Sequence, residues 1–163
     1  MYQPYPASGQ PQEPQRVQPP RSVQNAVKLM YAGAVLSLIG LILNLTTVGS
    51  LKSAIKARFP NYTAAQLHAA ESVAVSSAIA GGLIAIGLWL LMARANGKGR
   101  NWARIVSSGL FAVNTLDMIP SVARPHAVTG LIFALAVWLV GLGAIVLIWS
   151  KESGPFYSRQ QAG

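Results

Sequence analysis

The chain has 163 residues, of which 52% are hydrophobic and 10% are charged. Ordinary soluble domains carry about 25% charged residues, so this composition indicates a surface that is largely solvated by lipid. Thirteen Lys and Arg against four Asp and Glu give a net charge of +9, and the absence of cysteine excludes disulfides, iron–sulfur clusters and thiolate zinc sites.

The first 25 residues contain six Pro and six Gln and almost no aliphatic side chains. Such a segment buries too little apolar surface to offset its ordering entropy, so it is predicted to be a disordered cytoplasmic tail with polyproline II character. Pro11 and Pro14 form a minimal P-x-x-P pattern. A soluble tail is the favoured interpretation, and a ligand for an adaptor protein is the alternative.

Three long apolar runs follow, over residues 29–48, 72–93 and 127–150. Twenty helical residues at about 1.5 Å each cover the roughly 30 Å hydrocarbon core of a bilayer. Trp89 and Arg94 stand at the end of the second run, and Trp149 and Lys151 at the end of the third. All three are predicted to be transmembrane helices.

A fourth span is predicted over residues 104–120, although this stretch contains Asn114 and Asp117. Asp117 would lie about 20 Å beyond Arg104 along a helix, in the outer third of the membrane, where a carboxylate costs less than at the centre. The predicted fold class is therefore an all-α four-helix transmembrane bundle. It occupies residues 26–151, and residues 152–163 form a short cytoplasmic tail.

The distribution of cations predicts that both termini are cytoplasmic. In that orientation four cations lie on the outer side and nine on the inner side, and the nine are Arg16, Arg21, Lys28, Arg94, Lys98, Arg100, Arg104, Lys151 and Arg159. This topology predicts a multi-pass membrane protein.

The first outer loop is predicted to hold an amphipathic helical segment. Leu51 and Ile55 recur at helical spacing, opposite Lys52 and Lys56, and a proline ends the segment. Thr63 with Gln66 three residues later forms a capping box, so a new helix is expected to start there and run directly into the second span.

Small residues at four-residue spacing indicate where helices pack closely. Internal packing of the bundle is the favoured interpretation, and a homo-oligomer or a membrane-protein partner is the alternative. The residues are Gly33, Ser37, Ser77, Gly81, Ala85, Gly130 and Ala134.

Polar residues of the outer half form the best candidate site. His68 and Glu71 lie three residues apart on one helical face, and Asp117 and His126 are expected at the same membrane level. Imidazole and carboxylate groups are suited to a divalent metal or a proton relay. The simpler interpretation is that Asp117 pairs with Arg124 and that the histidines are interfacial, so no metal or cofactor is predicted with these residues.

The basic loop between the second and third spans contains four cations, Arg94, Lys98, Arg100 and Arg104. Asn96 with Gly97, and Gly99, suit a tight turn in this loop. The cations are predicted to face anionic lipid headgroups, and the loop lacks the spacing of a phosphate-binding loop.

The Pro/Gln-rich tail, together with VKLMYAGAVLSLIGLI and LMARANGKGRNWARIVSSGLF, resembles small four-span membrane proteins common in actinobacteria. The resemblance covers about residues 23–150. It implies a plasma-membrane location and supports a span over 104–120, but it supplies no active-site residues to carry over.

The leading functional prediction is a non-enzymatic accessory or scaffold subunit of a membrane or cell-envelope complex. The alternative is a small transporter or channel subunit that uses polar residues of the outer half. Four-span multidrug exporters depend on a glutamate in the middle of the first helix, and none occurs there. An intramembrane enzyme ranks third, and the lipid bilayer, rather than nucleic acid, is the predicted partner.

Overall fold

The computed structural model describes residues 18–122 and 128–159. Within these ranges every regular element is a helix, which confirms the predicted all-α class. The helices are α1 (Arg21–Thr46), α2 (Val48–Arg58), α3 (Ala64–Gly97), α4 (Asn101–Val122), α5 (Val128–Ile148) and α6 (Gly154–Arg159).

Three helical segments are long and apolar enough to cross a membrane: Arg21–Thr46, Ala64–Gly97 and Gly130–Ile148. They contain most of the predicted spans 29–48, 72–93 and 127–150. Many of their large apolar side chains are exposed, which suits a surface solvated by acyl chains. The membrane character of the chain therefore follows from three helices.

The predicted fourth span corresponds to α4, which is not among these three segments. Its mean hydropathy is reduced by its polar residues, which include Arg104, Asn114 and Asp117. The helix is long enough to cross the hydrocarbon core, because 22 residues at about 1.5 Å extend roughly 33 Å. Helix α4 as a fourth span therefore stays a prediction.

Helix α1 begins at Arg21, inside the segment predicted to be disordered. Pro20 precedes it with φ −61° and ψ 159°, and its carbonyl accepts a hydrogen bond from the Gln24 amide at 3.0 Å. Val23 and Ala26 are fully buried, so tertiary packing adds turns that local composition does not predict. Residues 1–17 of the predicted tail lie outside the described residues.

The helical segment in the first long connection and the capping box are both confirmed. Helix α2 ends just before Phe59, whose ring stacks on Tyr62 with centroids 4.7 Å apart. At the start of α3, the Gln66 amide donates to the Thr63 hydroxyl at 3.3 Å, and the Thr63 amide donates to the Gln66 side chain at 2.9 Å. Helix α3 then continues without interruption to Gly97.

Helix α1 lies between α3 and α5, while α4 packs mainly against α5. Glycines on α1 allow large rings from both neighbours to approach: a Cβ added to Gly33 would lie 2.8 Å from the Trp89 ring, and one added to Gly40 would lie 2.9 Å from Phe133. Close contact of this kind supplies the van der Waals attraction that holds helices together in lipid.

The best-packed region lies at one end of the bundle, where α1 and α4 begin and α3 and α5 end. We call it the basal end and the opposite end the distal end. The basal core consists of Ala26, Met30, Met92, Ala93, Ala95, Ala103, Ala144 and Ile148. Alanines dominate this core, so the helix backbones can approach one another closely.

The turn between α3 and α4 depends on Gly99, which has φ 68°. Its amide bonds to the Asn96 carbonyl at 2.9 Å, and the Arg100 amide bonds to the Ala95 carbonyl at 3.2 Å. This pair of bonds is a Schellman motif, in which glycine adopts the left-handed conformation at low cost. The predicted tight turn is therefore present, and it directs α4 back along the bundle.

Candidate functional site

A cleft lies between α1, α3, α4 and α5, and we call it the central cleft. It consists of two adjoining cavities of about 300 Å³ and 530 Å³, both partly open to the surroundings of the bundle. The two cavities share five lining residues: Ser37, Ala85, Asn114, Asp117 and Val137. Volumes of this size are typical of sites for small molecules.

Polar side chains line the distal part of the cleft. They come from three helices: Ser37 and Asn44 from α1, Ser77 from α3, and Asn114 and Asp117 from α4. Together they supply two hydroxyls, two amides and one carboxylate. This set can hydrogen-bond a polar group and attract a positive charge.

The basal part of the cleft is mostly apolar. Met30 and Met92 lie at its basal limit, with Trp89 and Phe111 along its wall. The Trp89 ring is fixed against Gly33, as described above, and Phe111 lies 3.1 Å from the position that a Cβ on Gly141 would take. The cleft therefore combines a polar distal half with an aromatic and thioether-lined basal half.

Small side chains on α3 create part of this space. Ser77, Gly81 and Ala85, predicted as a helix-packing stripe, all line the distal cavity. A Cβ added to Gly81 would meet no atom within 4 Å. The stripe therefore faces a cleft in this chain rather than a closely packed helix.

Trp138 on α5 and Trp149 just after its end hold α4 on the far side of the cleft. The Trp138 indole donates to the Thr115 hydroxyl at 3.0 Å, and the Trp149 indole donates to the Ser108 hydroxyl at 2.9 Å. Phe111 also packs on Trp138, with ring centroids 5.6 Å apart. These contacts attach α4 to α5 and leave space between α3 and α4.

Asn96 is fully buried at the basal end and contacts three residues that line the basal cavity. Its amide nitrogen donates to the Met92 carbonyl at 2.9 Å and to the Ser107 hydroxyl at 3.0 Å, and lies 3.9 Å from the Met30 sulfur. Its carbonyl oxygen accepts a hydrogen bond from the Tyr157 hydroxyl at 3.0 Å. Asn96 thereby connects four segments, although the sequence suggested only a turn residue.

Burial keeps Tyr157 neutral. Burial raises the pKa of the Tyr157 hydroxyl to about 12, against the opposing effect of the nearby Arg104 guanidinium. The hydroxyl is therefore protonated at neutral pH and remains a donor to Asn96. The Arg104 guanidinium lies 3.7 Å from the centre of the Trp149 ring and 5.4 Å from that of Tyr157, distances suited to cation–π attraction.

Helix α6 is docked on the basal end by further contacts. The hydroxyls of Ser22 and Ser153 lie 2.9 Å apart in a buried position, and Ser153 also donates to the Leu147 carbonyl at 2.8 Å. Phe156 and Tyr157 bury their rings against Val23. The segment predicted as a short tail thus ties α1, α3 and α5 together.

The four predicted headgroup residues occupy two environments. Arg94, Lys98 and Arg100 are exposed at the basal end, where lipid headgroups could reach them. Arg104 is half-buried between the two aromatic rings, and its Nε has no hydrogen-bond partner among the described residues. Its role in this structure is to pack α4 against α5 and α6.

The remaining residues predicted to pack closely also occupy different environments. Gly33 packs under Trp89, and Ser37 and Ala134 line the cleft. A Cβ added to Gly130 would meet no atom within 4 Å.

The predicted polar cluster is only partly visible. Asp117 lines the cleft, whereas His68 is exposed and Glu71 is half-buried near the start of α3. His126 and Arg124 lie outside the described residues. Within the described ranges, no three His, Asp or Glu side chains form a group that could hold a metal ion.

Comparisons with protein-family models, with curated proteins and with solved structures give no match for this chain. The resemblance to actinobacterial four-span proteins therefore stays a prediction.

Proposed function

We propose that α1, α3, α4 and α5 all cross the plasma membrane and that both termini are cytoplasmic. Support for α4 as a span comes from its length and from the two tryptophan hydrogen bonds that align it with the apolar helix α5. Its polar residues Asn114 and Asp117 line the cleft, and polar residues of membrane helices usually face the bundle interior or a cavity.

The proposed orientation places the basal end in the cytoplasm. That end carries Arg94, Lys98 and Arg100, exposed at the turn between α3 and α4, and also Lys28 and Lys151. The excess of cations on this side supports the orientation through the positive-inside rule, and anionic lipids are the proposed headgroup partners.

Within this bundle, the central cleft is the proposed binding site of a small transporter or channel subunit. The observation that carries the proposal is the position of Asp117 in a cleft with a polar distal half and aromatic basal walls. A carboxylate in a membrane bundle marks a candidate pathway for cations or protons. The lining groups hydrogen-bond and attract charge, so the proposed role is non-enzymatic.

A lipophilic organic cation fits this cleft best. The positive charge would be attracted to Asp117, and the apolar body would lie against Trp89 and Phe111, whose ring faces also attract cations. The methionines at the basal limit adapt readily to ligands of different shapes.

Binding of tetraphenylphosphonium to the detergent-purified protein, measured by isothermal titration calorimetry, tests this proposal. Asp117→Asn should weaken binding at least about tenfold, because it removes one attractive charge in a region of low dielectric constant. Glu71→Gln is the matched control, since it removes an acid that does not line the cleft. Equal affinities for wild type and Asp117→Asn, or no binding at millimolar concentration, would contradict the proposal.

The accessory or scaffold role is the second candidate. Gly87 on α3 and Gly109 on α4 are exposed, and a Cβ added to either would meet no atom within 4 Å. These positions would let a helix of a membrane-protein partner or of a second copy approach closely. If this role is correct, Gly87→Leu should abolish co-purification of the partner or second copy in gentle detergent. Binding of tetraphenylphosphonium should be unchanged.

A further inference from the structure

We infer that α6 is a latch that closes the cytoplasmic floor of the central cleft. This inference rests on the proposed function and deepens it by assigning regulation to the same site. The latch consists of the buried residues Ser153, Phe156 and Tyr157, and it acts on the cleft through Asn96.

Asn96 lies directly behind the basal lining of the cleft. Its amide nitrogen contacts Met30, Met92 and Ser107, and all three line the basal cavity of the cleft. These residues belong to α1, α3 and α4, so one amide spans the floor. Movement of Asn96 would therefore open the floor between three helices.

Asn96 depends on α6 for one of its hydrogen bonds. Its carbonyl oxygen accepts a hydrogen bond from Tyr157, and the ring of Tyr157 is only 1% exposed. Without that hydroxyl, a buried carbonyl would lose its partner, which costs free energy unless water enters. Departure of α6 therefore favours hydration of the floor.

Helix α6 depends on tertiary contacts for its stability. It has six residues, too few for an isolated helix to be stable in water. It is attached through the Ser22–Ser153 hydrogen bond, the contact of Phe156 with Val23, and Tyr157. Short elements with few attachments are the ones that open locally at low free-energy cost.

A cysteine-scanning experiment tests the latch, because the natural chain contains no cysteine. Ala144→Cys is a suitable reporter, since Ala144 is 1% exposed and lines the basal cavity. Its reaction with a membrane-impermeant maleimide is measured in inside-out vesicles. Labelling should be slow in the otherwise unchanged chain.

Loss of the latch should speed this labelling. Tyr157→Phe removes one buried hydrogen bond and should raise the rate about fivefold, whereas Tyr157→Ala also removes the ring and should raise it by on the order of 100-fold. Ser158→Ala is the matched control on α6, because Ser158 is exposed and its hydroxyl donates to the Pro155 carbonyl within the helix. Unchanged rates in folded Tyr157 variants, or fast labelling with the latch intact, would overturn the inference.

A second variant covers the case in which Tyr157→Ala does not fold. The hydroxyls of Ser22 and Ser153 are 2.9 Å apart, so Ser22→Cys with Ser153→Cys should form a disulfide that locks the latch. Labelling of Cys at position 144, followed by mass spectrometry, should be slower in the oxidised form and recover on reduction. Equal rates in both forms would contradict the latch.

The two proposals fail separately. The labelling experiment contains no ligand, so it can support the latch even if tetraphenylphosphonium does not bind. Conversely, the binding site would stand and the latch would be refuted if binding depended on Asp117 but the labelling rates did not change in the Tyr157 variants.

Discussion

Replacement of Asn96 by leucine should destabilise the protein more than any nearby surface change. The substitution preserves the approximate size of the side chain but replaces its amide with an apolar group, which leaves the hydroxyls of Tyr157 and Ser107 buried without their partner. Each orphaned hydroxyl costs about 1–2 kcal/mol, so the free energy of unfolding should fall by about 3 kcal/mol. Asn25→Leu is the matched control, since Asn25 lies exposed on α1 at the same end.

A double-mutant cycle separates the hydrogen bond from simple packing. Tyr157→Phe alone should cost about 1 kcal/mol. The double variant Asn96→Leu with Tyr157→Phe has no orphaned Tyr157 hydroxyl. Its loss of unfolding free energy should therefore be about 1–2 kcal/mol smaller than the sum of the losses in the two single variants. Reversible unfolding in mixed detergent micelles, followed by tryptophan fluorescence, gives these values. Strict additivity, or a cost of Asn96→Leu below about 0.5 kcal/mol, would refute the reasoning.

Three other predictions concern pH and glycine positions. Because the pKa of Tyr157 is raised, its stabilising contribution is complete below pH 10 and is lost between pH 10 and about 12. The free energy of unfolding should therefore fall across that range in the wild type and not in Tyr157→Phe. Gly33→Ala should cost about 1–3 kcal/mol because the new methyl group meets the Trp89 ring, whereas Gly109→Ala should not destabilise; the same unfolding assay compares them, and equal costs would refute the packing argument. Gly99→Ala should cost about 1–2 kcal/mol because φ is 68°; an unchanged midpoint of unfolding would contradict the role given to that turn.

Features set by local sequence were predictable. Apolar runs long enough to cross a bilayer predicted the three membrane helices, and the Thr63–Gln66 spacing predicted the capping box. These signals depend on residues close together in the chain, where hydrophobicity and capping act directly. The helical segment α2 was predictable for the same reason.

Features set by tertiary contact were not predictable. Asn96 has the sequence context of a turn, yet α1, α4 and α6 enclose it. The only local signal for α6 was the pair Phe156 and Tyr157 in an otherwise polar segment. The small-residue stripe ending at Ala85 was recognisable, but whether it faces a helix or a cleft depends on where α5 holds α4.

The central claim is that a membrane bundle encloses a cleft reached from its distal, outer side. Ser77→Cys and Ile84→Cys test it most directly, because both lie on α3: Ser77 lines the cleft, and Ile84 is 62% exposed on the apolar surface. In intact cells, a membrane-impermeant maleimide should label Cys at position 77 and spare Cys at position 84. No labelling at position 77, or equal labelling at both positions, would contradict the account.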